Sequence, residues 1–177
     1  MTEQAGKREF RPLNIAVMTV SDTRTAATDK SGDTLVSLLT GAGHNLVEKS
    51  IVADDIYRIR AVISQWIADD AVHAVITTGG TGITGRDTTP EAVSALFDKQ
   101  IDGFGEMFRA ISYEEIGTST IQSRALAGVA NATFIFCLPG STGACRTGWE
   151  SLIRHQLDYR TRPCNLVELM PRVLEKG

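Results

Sequence analysis

Apolar and polar positions fall in blocks along this chain, and the blocks repeat as strand, loop, helix. Leu13–Val20 (LNIAVMTV) is an almost unbroken apolar run rich in β-branched residues, the pattern of a strand covered on both faces. A polar stretch, Ser21–Lys30, follows. Then Leu35, Leu38, Leu39 and Ala42 share one helical face; Ser31 and Asp33 both suit the N-cap, and Gly41 and Gly43 the C-terminal end. Leu46–Val52 predicts a second strand. Asp54 or Asp55 then caps a helix whose stripe is Ile56, Ile59, Ile63, Trp66 and Ile67. His73–Thr77 is a third strand, ended by Gly79-Gly80-Thr81-Gly82. Thr88-Thr89-Pro90-Glu91 starts another helix, either with Thr89 as N-cap and Pro90 at N1 or as a Thr88/Glu91 capping box. Phe104, Met107, Phe108 and Ile111 mark a further helix, with Met107 and the phenylalanines assigned to the core, and Ile121–Val129 also reads as helical. Thr133–Leu138 is a fourth strand, closed by Pro139-Gly140-Ser141-Thr142 and followed by a helix over Ala144–Leu157.

This alternation predicts an α/β fold: a three-layer sandwich with a mostly parallel central sheet and helices on both faces. In such sheets ligands bind at the carboxyl ends of the strands. The residues found there are small, hydroxylic or acidic: Thr19, Ser21 and Asp22, then Asp54 and Asp55, then the GGTG run with Arg86-Asp87, then Pro139–Thr142. They are expected to share one rim. A glycine-rich loop lets backbone N–H groups turn toward an anion, so both glycine-bearing loops are candidate phosphate cradles. Carboxylates beside them (Asp22, Asp54, Asp87) could hold Mg²⁺. Each feature alone also has a structural explanation, as a tight turn or a helix cap. Arg124, Arg109 and Arg146 read as solvated helix arginines on pattern alone.

Composition narrows the classes. The chain has 177 residues, enough for one domain: an N-terminal arm over residues 1–11, a domain over 12–170 and a tail over 171–177. Lys and Arg total 18 against 21 acids, which argues against nucleic acid as a partner. No apolar run is long enough to span a membrane, and the polar start of the chain lacks the apolar centre of a signal peptide. The cysteines Cys137, Cys145 and Cys164 form no C-x-x-C, and the histidines form no metal-ligand pair. A cytoplasmic protein with reduced thiols is expected. The 16 glycines only slightly exceed the usual share of about 7%; their placement matters more than their number.

Several motifs occur together and in order: Thr19-Val20-Ser21-Asp22, Ile76–Gly82 (ITTGGTG), Asp87-Thr88-Thr89-Pro90-Glu91-Ala92, Gly103-Phe104-Gly105-Glu106, Ser123-Arg124-Ala125 and Leu138-Pro139-Gly140-Ser141. The set resembles the molybdenum-cofactor biosynthesis family of protein B and molybdopterin adenylyltransferase. The stretch Ser112–Gly128, with its Glu-Glu-Ile-Gly-Thr-Ser-Thr core, together with Ala144-Cys145-Arg146 and Thr161–Asn165, is closer to the protein B side. The resemblance implies a trimer or hexamer that binds molybdopterin, a pterin dithiolene with a terminal phosphate. For the adenylyltransferases it implies Mg²⁺-dependent transfer of AMP from ATP to that phosphate; the alternative is a non-catalytic oligomeric carrier. It places the two functional acids, also the Mg²⁺ ligands, at Asp54 and Asp87. Ser21, Asp22, Gly79, Gly80, Thr81, Gly82, Ser123, Pro139, Gly140 and Ser141 then become substrate- or phosphate-binding residues. One departure stands out: the family's adenylyltransferases commonly carry proline and often lysine after Leu-Pro-Gly, whereas this chain has Ser141-Thr142-Gly143.

Overall fold

A computed structural model describes residues 8–175. The strands are β1 (Asn14–Val20), β2 (Asn45–Val52), β3 (Ala74–Thr78), β4 (Lys99–Gln100), β5 (Leu126–Ala130) and β6 (Thr133–Leu138). They form one sheet in the order β2-β1-β3-β6-β5-β4. β2, β1, β3 and β6 are parallel, while β5 and β4 extend the sheet antiparallel from β6 and β5 respectively. The helices are α1 (Lys30–Gly41), α2 (Ile56–Ala68), α3 (Thr89–Ser94), α4 (Asp102–Ile116), α5 (Thr142–Gly148), α6 (Arg154–Gln156) and α7 (Leu166–Leu169). A π-helical segment, Trp149–Ile153, joins α5 to α6.

The central strands are apolar throughout because both faces are covered, and their side chains alternate between two cores. Ile15, Val17, Ile76 and Phe136 face one core, with Leu35 and Leu39 of α1, Phe104 and Phe108 of α4, and Trp149. Ala16, Met18, Val75 and Ile135 face the other, with Ile59, Ile63 and Trp66 of α2 and Val93 of α3. That is the three-layer sandwich expected from the pattern. The edge strand β2 is different: most of its length is exposed or half-buried.

Four sequence expectations are corrected. Asp29, not Ser31 or Asp33, caps α1 by accepting from the Gly32 N–H at 3.0 Å. The Thr88/Glu91 capping box does not form: Thr88 occupies the N-cap position of α3 without a side-chain cap bond, its hydroxyl bonds Asp54, and Glu91 pairs with Arg124. Met107 is 53% exposed rather than core, and only Phe104 and Phe108 of that helix's large side chains are buried. Residues 121–129 are not helical; a 3₁₀ turn (Gly117–Gln122) leads into strand β5. The alanines and glycine of this stretch carry little β-propensity, and the strand is specified by pairing with β6 instead. Of the arm expected over residues 1–11, residues 1–7 lie outside the described residues. Arg11 stacks on Tyr159 at 3.7 Å and Phe10 packs on His44 at 5.0 Å. The tail's last two residues also lie outside the described residues.

The β5–β6 hairpin turns on two residues, Asn131 (φ 46°) and Ala132 (φ 64°). Two positive φ angles define the turn whose twist suits a hairpin, and glycine is strongly favoured at its second position. Ala132 therefore sits in a left-handed conformation that disfavours a Cβ. Ala132→Gly should stabilise the protein by about 1 kcal/mol and raise the thermal midpoint by roughly 2–4 °C, measured by calorimetry.

Candidate functional site

The parallel strands all end at one edge of the sheet, where a cleft of about 570 Å³ opens. All twelve site residues expected from the sequence line it: Ser21, Asp22, Asp54, Gly79, Gly80, Thr81, Gly82, Asp87, Ser123, Pro139, Gly140 and Ser141.

The loop after β3 forms the floor. Gly79 (φ 100°) and Gly80 (φ 65°) both have positive φ. A Cβ on Gly79 would overlap the Val20 carbonyl oxygen, and one on Gly80 would collide with the Thr89 hydroxyl. Only glycine fits both the angles and the space. The turn is then fastened from both sides. The Gly79 N–H donates to the Leu138 carbonyl at 3.0 Å, the Thr89 hydroxyl donates to the Gly79 carbonyl at 2.9 Å, and the Thr89 N–H donates to the Gly80 carbonyl at 3.0 Å. The β6 loop lies alongside: the Thr78 hydroxyl donates to the Pro139 carbonyl at 2.9 Å and Ser31 to the Gly140 carbonyl at 2.8 Å. Ser141 caps α5 by accepting from the Ala144 N–H.

The acids divide into two kinds. Asp22 is committed: Arg86 grips both its oxygens at 2.9 and 2.6 Å, and the Asp54 N–H donates to it at 3.1 Å. The Arg86 guanidinium and the Asp54 amide hold its carboxyl below the usual range. Asp54 and Asp87 are held by threonine donors. Asp54 is buried, and its Oδ1 accepts from the Thr88 N–H at 3.0 Å and the Thr88 hydroxyl at 2.5 Å. Asp87 Oδ2 accepts from the Thr84 hydroxyl at 2.6 Å and N–H at 2.9 Å, and this bonding holds its carboxyl below the ordinary value. Asp54 Oδ2 has no hydrogen-bond donor among the described residues, whereas the Asp87 carboxyl also draws on the Gly82 backbone N–H. Two such carboxylates suit Mg²⁺, which takes one or two protein carboxylates and fills its shell with water and phosphate oxygens. Among the described residues no group of three or more His, Cys, Asp or Glu is arranged to hold a metal, so a protein-only cage is not what this donor set offers.

Several functional neighbours escaped the sequence. Arg124 is a tie rather than a solvated arginine. Its Nε donates to the Gly82 carbonyl at 2.7 Å, one terminal nitrogen donates to the Asp87 carbonyl at 2.8 Å, and the guanidinium pairs with Glu91. Asp29 lies in the cleft wall, 1% exposed, bonded to the Thr19 hydroxyl at 2.8 Å and to Lys49 at 2.9 Å. No local pattern announces either cluster, because the partners are far apart in sequence. The buried thiols offer no nucleophile: desolvation pushes Cys145 up to about 11 and Cys137 up to about 12.

An open α/β sheet with a glycine-lined cleft and carboxylates at its strand tips is the arrangement in which α/β proteins place a ligand site. Residues 16–159 match the family described as "Probable molybdopterin binding domain". The chain is 57% identical over 157 residues to molybdenum cofactor biosynthesis protein B of Escherichia coli K12, covering 89% of this chain and 92% of that protein. A crystal structure of a molybdenum cofactor biosynthesis protein B superposes with a TM-score of 0.82 at 46% identity, covering 85% of this chain and 94% of the other. The tungsten cofactor synthesizing protein MoaB from Pyrococcus furiosus superposes with a TM-score of 0.73 at 39% identity, covering 80% and 91%. The chain belongs to the molybdenum cofactor biosynthesis family.

The Asp29 cluster generates a stability prediction. Removing Asp29 leaves α1 without its cap and Lys49 without its buried partner. Asp29→Ala should cost about 3 kcal/mol in urea unfolding at neutral pH. The folded carboxyl of Asp29 is held below its ordinary value by the Gly32, Lys49 and Thr19 bonds, which outweigh the larger single effect of its burial. Its contribution is therefore complete above the unfolded value and disappears as pH falls through the folded one. The difference between wild type and variant should shrink in acid; a constant difference would remove Asp29 ionisation from the account.

Proposed function

We propose that this protein binds molybdopterin and transfers AMP from ATP to its terminal phosphate. The observation that carries the reading is the pair Asp54 and Asp87, both oriented by threonine donors and both lining the cleft beside the glycine turn. Arg24 is the one lysine or arginine among the described residues lining the cleft. Phosphates would then be met chiefly by backbone N–H groups and by a cation held on the two carboxylates. Mg²⁺ bound there would neutralise charge on the phosphates. A terminal phosphate oxygen of molybdopterin attacks the α-phosphorus of ATP; the bond from that phosphorus to the bridging oxygen breaks, and pyrophosphate leaves with the electron pair. The nucleophile is already ionised, so no histidine or cysteine base is needed, and the protein's work is positioning and charge compensation. Thr88 and Thr84 orient the two carboxylates, and Asp87 stays ionised through neutral and mildly acid pH. A homo-trimer or homo-hexamer in the cytoplasm is the assembly and location we attach to this reading.

A second reading, a non-catalytic molybdopterin carrier, is favoured by Gly143. It lines the cleft with no atom within 4 Å of where a Cβ would stand, in the turn where related adenylyltransferases often carry lysine. Incubation with molybdopterin, Mg²⁺ and ATP decides between them. Adenylated product and pyrophosphate support transfer, and normal molybdopterin binding without product leaves the carrier. Asp87→Asn should lower turnover about a hundredfold while leaving molybdopterin bound; unchanged turnover removes Asp87 from the reaction. Gly143→Lys, entering empty space, should tighten ATP binding about tenfold in isothermal titration, with no loss of folding.

A further inference from the structure

Five carboxylates line the cleft among the described residues, Asp22, Asp29, Asp54, Asp87 and Glu115, and Arg24 stands with them. Arg24 forms no ion pair with any of them. Asp22 is taken by Arg86 and Asp29 by Lys49, while Glu115 accepts from the Thr147 hydroxyl at 2.9 and 3.0 Å. What holds Arg24 is neutral: one terminal nitrogen donates to the Thr28 carbonyl at 3.0 Å. Its other guanidinium N–H groups have no acceptor among the described residues. The turn that carries it is closed on Ser21, whose hydroxyl oxygen accepts from the Thr23 N–H at 3.2 Å and the Arg24 N–H at 3.1 Å. Further along, the Thr25 N–H donates to the Thr28 hydroxyl at 2.9 Å and the Thr28 N–H to the Thr25 carbonyl at 3.0 Å. Two incoming donors occupy both lone pairs of the Ser21 oxygen, so its own proton is left to donate. No acceptor among the described residues takes it, and Ser21 lines the same cleft.

A hydroxyl with no lone pair to spare and a guanidinium with no carboxylate partner, three residues apart on one braced turn, present donors only. The remaining acid of that turn, Asp22, has both oxygens covered by Arg86, so the turn as a whole offers positive charge. A guanidinium fork matches two oxygens of a phosphate. A metal on Asp54 and Asp87 answers the charge of the nucleotide's phosphates, and the phosphate that approaches them needs a countercharge of its own. We propose that Arg24 and Ser21 bind the phosphate monoester of the acceptor substrate. The fork needs two of the ester's three terminal oxygens, which leaves one for the transfer step. The proposal rests on the molybdopterin-binding reading above and names the residues that hold that substrate's phosphate.

The test uses three probes on the intact protein: phenyl phosphate, phenyl sulfate and ATP with Mg²⁺. The two esters share a shape, but above the second phosphate pKa of about 6 the phosphate carries two charges and the sulfate one. Wild type should bind phenyl phosphate about tenfold tighter than phenyl sulfate in mildly alkaline solution by isothermal titration. The preference should fade as pH falls through about 6 and the phosphate ester becomes a monoanion. Arg24→Gln, which keeps a donor for the Thr28 carbonyl, should weaken phenyl phosphate about tenfold and erase the preference, at a smaller cost to ATP. Its unfolding midpoint should match wild type, and Arg24→Lys, which keeps the charge without the fork, should restore part of the preference. Ser21→Asn and Ser21→Asp both keep an acceptor for the turn, but only asparagine has a proton to give, so phenyl phosphate should bind the asparagine variant more tightly. Equal binding by those two removes Ser21 from the site. A preference untouched by Arg24→Gln makes Arg24 a brace of its turn and overturns the proposal, leaving molybdopterin binding standing. A larger loss for ATP than for phenyl phosphate assigns the turn to the nucleotide and overturns it too. Failure of wild type to bind phenyl phosphate also overturns it, and the proposed function falls as well only if molybdopterin does not bind.

Discussion

The close approach of the Gly79-Gly80 backbone to the end of β1 is the constraint on which the rest of the cleft depends. β1, β3 and β6 lie side by side and parallel, so their ends must be capped in a space one backbone deep. Gly79 sits against the Val20 carbonyl on one side and close to Gly140 on the other, while Thr89 fastens both glycine carbonyls. A side chain at Gly79 or Gly80 would drive the strand ends apart. It would also move Asp54, whose free oxygen stands 2.8 Å from where a Gly80 Cβ would lie. The floor of the cleft and the position of the Asp54 carboxylate beside it are therefore set by the same two residues.

Gathering acids at such a rim creates repulsion, and the structure answers it from outside the cleft. Arg86 takes both oxygens of Asp22, Lys49 sits between Asp29 and Asp33, and Arg124 pairs with Glu91. Arg124 does more by geometry than by charge. An exposed ion pair contributes little, but its bonds to the Gly82 and Asp87 carbonyls connect the two loops that flank the cleft mouth. With the cations engaged at the periphery, neither Asp54 nor Asp87 is paired with a lysine or arginine among the described residues. Electrostatic relief at the edge and carboxylates left without a cation at the centre are two sides of one arrangement.

What could be read from the sequence follows from how local its physical cause is. β1, β3 and β6 were legible because a strand buried on both faces must be apolar at every position, and α2 because its stripe has helical spacing. Eleven of the twelve rim residues were legible because parallel strands carry their loops to one end, whatever the details of packing; Ser123, which precedes the antiparallel β5, came only from the family resemblance. β5 was hidden: Ala127, Gly128 and Ala130 are small, and the turn that pairs the strand is Asn131-Ala132 rather than the Asn-Gly that would have announced it. Met107 fell on the wrong side of α4 because helical spacing identifies neighbours without fixing where the buried face ends. The Arg124 tie and the Asp29–Thr19–Lys49 cluster join residues ten or more positions apart, where no periodicity operates. The role of Glu115 as a cleft residue had the same cause, since Thr147 lies 32 positions away.

The cleft is chemically polarised, and that polarity constrains how any ligand can lie in it. At the strand tips the cleft is lined by the glycine turn and by the carboxylates of Asp54 and Asp87. At the α4 end the apolar wall of Phe108 stands beside the hydroxyl of Ser112 and the carboxylate of Glu115. A phosphate placed at the α4 end would face Glu115 with no cation to offset it, because among the described residues the cleft's one lysine or arginine is Arg24, in the loop after β1. A neutral ring placed on the glycine turn would strand the two carboxylates. A ligand with an anionic tail and a neutral head is therefore favoured with its tail at the strand tips. Direction along the cleft therefore follows from charge balance before any specific contact is considered.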